Sequence, residues 1–161
     1  MSVIRVFFDT NVLVYAHDES SRFHTESATL LNLILEANNI RGVIAEQNLV
    51  ELYRIITNAS AMTLNPLAPM DARNLIQQTY LNGSFEIVYP TIESLNKTFD
   101  LAAQRNAMSA RIFDIRLACL VLDAKIDYFA THNIKDFQSI NGLCPLTPRE
   151  ILMAITNTAS K

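Results

Sequence analysis

The chain has 161 residues, half of them hydrophobic and 18% charged, with a formal net charge of −3. That length points to one domain spanning 1–161, and that composition builds a core and excludes a disordered chain. Only three glycines occur, Gly42, Gly83 and Gly142, so there is no GxGxxG fingerprint, no Walker A loop and no GxSxG elbow.

Residues 3–8 are β-branched, aromatic and nearly all apolar, which predicts a strand buried on both faces, as in a parallel sheet. Leu30, Leu31, Ile34 and Leu35 set helical spacing over 22–38. A second short strand is predicted at 43–45. A helix follows over 46–58, with Leu49, Leu52, Tyr53 and Ile56 at i, i+3, i+4 and i+7. Pro66 and Pro69 punctuate the chain before a helix at 70–81, and Asn82-Gly83-Ser84 is a turn. A third strand at 85–89, a helix to about 105, a strong helix at 112–125 and a fourth strand at 127–130 come next. Residues 131–142 read as a polar loop. Thr147 as N-cap, Pro148 at N1 and Glu150 at N3 form a capping box that starts a last helix. Strands alternate with helices, so the expected fold is α/β with a mostly parallel sheet.

Cys119 and Cys144 make no disulfide framework, and Cys119 lies in an apolar run, which suits a buried thiol in a reducing compartment. No apolar stretch approaches the ~18 residues of a membrane span. The run at 3–8 is cut by Asp9, Thr10 and Asn11 and makes a poor signal peptide. The expectation is a cytoplasmic protein without membrane contact.

In open α/β sheets ligands bind beyond the carboxyl ends of strands. Asp9 stands there after the first strand. A carboxylate behind an apolar strand is costly if buried without a partner; capping the next helix is the alternative role. Asp114 heads the helical stripe Leu117, Ala118, Val121 and Leu122, and a favourable place at the helix N-terminus, worth ~0.3–1 kcal/mol, accounts for it equally. At 100° per residue Glu51 projects away from its helix's apolar stripe, beside Gln47, Arg54 and Asn58, so periodicity puts it on the surface. Carboxylates gathered at one sheet edge repel each other unless a cation intervenes. Oxygen-only ligands suit Mg²⁺ or Mn²⁺, and His17, His24 and His132 lack zinc-type spacing.

Four strings resemble the PIN domain family, especially the VapC-type ribonuclease toxins: Phe8-Asp9-Thr10-Asn11-Val12-Leu13-Val14-Tyr15-Ala16, Gln47 to Arg54 around Glu51, Asp114-Ile115-Arg116-Leu117-Ala118, and Thr131-His132-Asn133-Ile134-Lys135-Asp136-Phe137. They stand in order over roughly 3–148. The resemblance implies a three-layer α/β/α sandwich whose acids bind Mg²⁺ or Mn²⁺ and cut RNA. Asp9, Glu51 and Asp114 match the three principal acidic ligands. Many relatives place Asp two residues after the Thr, where this chain has Asn133; Asp136, also a common family position, is taken as the fourth acid. Asn11, Thr131 and Asn133 match supporting polar positions. The resemblance also implies that the polar face holding Glu51 lines a cleft, that an antitoxin blocks that cleft, and that the protein is a homodimer.

An acidic protein needs local positive charge to hold RNA. Arg105 and Arg111 bracket the loop before Asp114, and Arg116 and Lys135 lie near the acids. Arg111, Arg116 and Lys135 are candidate phosphate contacts, although each taken singly is more ordinary as a solvated charge. The leading expectation is a metal-dependent endoribonuclease. A metal-poor module that binds RNA or a partner is the alternative. A phosphatase of the haloacid dehalogenase type, with Asp9 as nucleophile, ranks last, because that class wants an acid where Asn11 stands.

Overall fold

In the computed structural model, which describes residues 3–60 and 66–159, β1 (Ile4–Phe8) is the middle of a five-stranded sheet. Its neighbours are β2 (Ile40–Ala45) on one side and β4 (Tyr128–Ala130) on the other. The edges are β3 (Phe85–Val88) and β5 (Pro145–Leu146), in the order β3-β2-β1-β4-β5. All four pairings are parallel, with Phe7 opposite Val43 in β2 and opposite Phe129 in β4.

The sheet separates two apolar layers. Val6 and Phe8 point to one, Phe7 to the other, as the two-residue period of a strand requires. The first layer is covered by α1 (Thr10–His17), α2 (His24–Glu36), α3 (Glu46–Ile56), α4 (Pro69–Thr79) and α8 (Pro148–Ala159). The second is covered by α5 (Ile92–Gln104), α6 (Arg111–Asp123) and the short α7 (Ile134–Phe137). This is the three-layer α/β/α sandwich. Gly42 allows the tight fit between β2 and its neighbours: a Cβ there would lie 2.2 Å from the Phe85 ring and 2.9 Å from Ile34. Among the described residues no helix is long and apolar enough to cross a membrane.

Three elements depart from the pattern expected of the sequence. α1 has no amphipathic period to detect, because Thr10, Val12, Leu13, Val14 and Ala16 are all buried, so the helix is covered nearly all round. α7 is one turn within the expected polar loop, too short for a period to register. β5 has two residues and begins with Pro145, a residue tolerated at a sheet edge. The capping box forms as expected: the Thr147 backbone N–H donates to Glu150 Oε2 at 2.8 Å, and the Glu150 N–H donates to Thr147 Oγ1 at 3.3 Å.

The parallel order fixes where a site can form. β2 and β4 leave β1 in opposite directions, so the connections after β1 diverge and open a crevice at its carboxyl end. Asp9 follows β1, α3 follows β2 without a loop, and Thr131 follows β4.

Candidate active site

Asp9 is the N-cap of α1 and also the floor of this crevice. Its Oδ1 accepts the Thr10 backbone N–H at 2.7 Å. Its Oδ2 accepts from Asn11 Nδ2 at 2.9 Å and from Thr131 Oγ1 at 2.8 Å. The capping role is therefore real, and it does not exhaust the residue. Asp9 is 7% exposed, and no basic side chain bonds to it among the described residues. Burial pushes its carboxyl up to about 7. The hydrogen bonds from Thr131 and Thr10 oppose that rise, and the negative charges of Glu51 and Asp114 add to it.

α3 brings Glu51 to the same crevice. The face it turns inward is shifted from the stripe its apolar residues set: Leu52 and Ile56 are buried as expected and Leu49 packs against the core, but Gln47 and Asn48 are buried too, whereas Tyr53 is 40% exposed. Glu51 follows Asn48 by three residues and shares its side of the helix. It is half-buried, and its Oε2 accepts from Thr10 Oγ1 at 2.6 Å. The surface position given by periodicity is thus corrected. The cause is the buried amide of Asn48, which spans from the Ala45 N–H (2.8 Å) to Thr10 Oγ1 (2.9 Å) and rotates the helix about its apolar stripe. Thr10 and Asn48 are the two members of the network that sequence reasoning missed. Their signal was available: a polar residue at the buried start of a helix, and the Thr between Asp9 and Asn11.

Asp114 lies in the first turn of α6 and is half-buried. Burial raises its carboxyl above the ordinary range, Arg111 opposes the rise, and Asp136 adds to it. Arg111 joins the two acids, donating to Asp114 Oδ2 at 3.1 Å, to Asp136 Oδ1 at 2.8 Å and to the Asp136 carbonyl at 3.0 Å. Asp136 sits in α7 and reaches the acids through this bridge. Asn133 is exposed at the start of α7, and its backbone N–H donates to Thr131 Oγ1 at 3.0 Å.

The candidate phosphate contacts divide. Arg111 is engaged with Asp114 and Asp136. Arg116 is engaged with Glu46 and Gln47, linking α6 to the start of α3. Both are ion-paired struts in this structure rather than open cations. Arg105 likewise donates to the Ser139 carbonyl at 3.1 Å. Lys135 is exposed.

His132 closes one side. Its N–H donates to Asn11 Oδ1 at 3.1 Å, and its Nε2 lies 2.9 Å from Ser27 Oγ. Burial pulls its imidazole down to about 4, so it is neutral at neutral pH. Among the described residues no three Asp, Glu, His or Cys side chains stand as a ready-made metal cage. The donor chemistry nevertheless fits a hard divalent cation. The groups facing the crevice are carboxylate oxygens, and Asp9, Glu51 and Asp114 are near enough for the last two to hinder ionisation of the first.

Comparison with known proteins places this geometry. The family model described as PIN domain matches residues 6–143. No curated protein matches the sequence. Similar solved structures include VapBC2 from Rickettsia felis, bound to a DNA fragment from its promoter. It has a TM-score of 0.61 and 18% identity, over 89% of this chain and 98% of that one. VapC20 from Mycobacterium tuberculosis, a toxin that cleaves the sarcin–ricin loop, has a TM-score of 0.64 at 11% identity, over 89% and 99%. A toxin–antitoxin complex from Klebsiella pneumoniae has a TM-score of 0.58 at 17% identity, over 89% and 97%. At these identities the likeness shows the fold.

Proposed function

The chain belongs to the PIN domain family, and from that premise we propose that it is a metal-dependent endoribonuclease, the toxin of a cytoplasmic toxin–antitoxin pair. One observation carries the reading: a buried Asp9 without a cationic partner, its carboxyl raised by burial and by Glu51 and Asp114.

Asp9, Glu51 and Asp114 would hold Mg²⁺ or Mn²⁺, with Asp136 as a fourth acid after rearrangement of the Arg111 bridge. When bound, such an ion supplies an activated water and charge stabilisation on the phosphodiester. The protein's own groups set the stage. Thr131 and Asn11 fix one oxygen of Asp9, and the Thr10 N–H fixes the other, so the carboxylate is held before any ligand arrives. Asn48 orients Thr10, and Thr10 orients Glu51. Arg111 is ion-paired to both Asp114 and Asp136 and balances their charge.

The similar structures include a toxin that cleaves the sarcin–ricin loop and a toxin–antitoxin complex, which support an RNA substrate and an antitoxin partner; a homodimer is proposed with them. The test is cleavage of RNA with Mg²⁺ or Mn²⁺. Wild type cuts, and Asp9→Asn, still folded, does not. Cleavage that persists in that variant and in excess EDTA would overturn the proposal. Asn133, together with the lack of a preformed cage, favours one second reading, a metal-poor module that retains RNA without turnover. Retention under Mn²⁺ with no product marks it.

A further inference from the structure

Beside the acidic crevice, between the turn that leads into α2 and the first turns of α8, lies an open pocket of about 610 Å³. Arg22, Phe23 and Thr29 line one side, and Arg149 and Leu152 the other. One of its lining residues, Phe23, links it to the crevice through His132. His132, whose N–H is held by Asn11 beside Asp9, stacks its ring on Phe23 with centroids 4.4 Å apart, and Tyr15 packs against both rings at 5.2 Å. The Arg22 guanidinium lies 4.6 Å from the Phe23 centroid and is otherwise exposed.

Among the described residues, the pocket brings together two arginines without an ion pair; other exposed cations of that kind, among them Arg54, Arg73, Lys125 and Lys135, do not line it. Most arginines of this acidic chain are tied: Arg5 to Glu86, Arg111 to Asp114 and Asp136, Arg116 to Glu46, Arg41 and Arg105 to carbonyls. Neither Arg22 nor Arg149 bonds to a carboxylate among the described residues. The pocket's one acid, Glu26, faces His132 Nδ1 at 3.7 Å. Glu150, next to Arg149, is spent on capping α8.

We propose that this pocket binds a nucleotide of single-stranded RNA flanking the cleaved bond, its phosphate held by Arg22 and Arg149 and its base lying on the Arg22 guanidinium seated over Phe23. The proposal rests on the nuclease reading and deepens it. A planar guanidinium already seated on an aromatic ring offers a sequence-tolerant platform for a base together with charge for the phosphate. The contacts from Phe23 to His132, and from the His132 backbone to Asn11 beside Asp9, set the pocket next to the acidic crevice.

The test is binding of a fluorescein-labelled, 12-nucleotide single-stranded RNA in the non-cleaving Asp9→Asn background with Mg²⁺, followed by anisotropy across salt concentrations. Adding Arg22→Ala and Arg149→Ala should weaken binding roughly tenfold. It should also flatten the log Kd against log salt slope by about 1.4, at ~0.7 per lost single-strand phosphate contact. Lys125→Ala, on a distant exposed cation, should change neither quantity. An unchanged Kd and slope in the double arginine variant overturns the pocket, including the case where the arginines serve a protein partner. If wild type still cleaves RNA in that event, the nuclease reading survives alone. If wild type neither binds nor cleaves RNA, both fall together.

Discussion

The two ends of the parallel sheet handle charge in opposite ways. At the amino end Arg5 donates to both oxygens of Glu86, at 2.7 and 2.8 Å, and its backbone N–H donates to Asp127 at 2.7 Å. Every charge named there has a partner of opposite sign or a backbone dipole. At the carboxyl end Asp114 and Asp136 share Arg111, but Asp9 is buried, its bonds come only from neutral donors, and the charges of Glu51 and Asp114 raise its carboxyl further. One end is arranged for stability. The other leaves a buried carboxylate without a basic partner among the described residues, which is the kind of imbalance that marks a candidate functional site.

The sharpest way to break this contrast is to remove the buried acid. Asp9→Asn should lower Mg²⁺-dependent RNA cleavage by roughly 10³-fold, the equivalent of about 4 kcal/mol of lost transition-state stabilisation. Initial rates on a labelled RNA measure it, with circular dichroism confirming the fold.

The next effect is on stability. Asp9's folded value of about 7 lies above its ordinary 3.8, so its stabilising contribution is complete below about 4 and is lost as pH rises through 7. His17 and His132, both pulled down to about 4 by burial, act in the other direction and are common to both proteins, so a difference isolates the aspartate. In EDTA, the stability of Asp9→Asn relative to wild type should rise between pH 4 and pH 7, with a ceiling of about 4 kcal/mol at ~1.36 kcal/mol per pH unit. Saturating Mg²⁺ should shrink that gap at pH 7. Urea melts at a series of pH values decide it, and a flat difference would contradict the burial argument.

Smaller effects sharpen the comparison. Arg111→Ala removes the cation that Asp114 and Asp136 share, and should tighten Mg²⁺ binding by about three- to fivefold in calorimetry, since these groups are partly exposed and screened. At the opposite end, Glu86→Gln breaks a partly exposed ion pair. It should cost less than about 1 kcal/mol and leave Mg²⁺ affinity unchanged.

Much of this was legible in the residues. The sheet showed in the runs at 3–8, 43–45, 85–89 and 127–130, and its parallel character chiefly in 3–8 and 43–45, central strands that are apolar without alternation. Asp9 and Asp114 stood out as charges where apolar neighbours predict burial. Glu51 did not: its orientation follows from Asn48, a buried amide whose partners, Ala45 and Thr10, lie on two other elements. The pairing of Arg111 with Asp136 and of Arg116 with Glu46 was hidden for the same reason, although Arg111 and Asp114 are a local i,i+3 pair. Arg116 meets Glu46, 70 residues away, and such a meeting is a product of packing rather than of local pattern.

Thr131 Oγ1 reaches Asp9 across 122 positions of chain. The first-made strand sits in the middle of the sheet and waits for one of the last-made strands to dock beside it. On the ribosome, then, a chain that has emerged only through β3 carries Asp9 and Glu51 but neither Asp114 nor Thr131, and its pocket does not yet exist. The order of strands acts as a timer: the pocket around Asp9 closes only when nearly all of the polypeptide has been made.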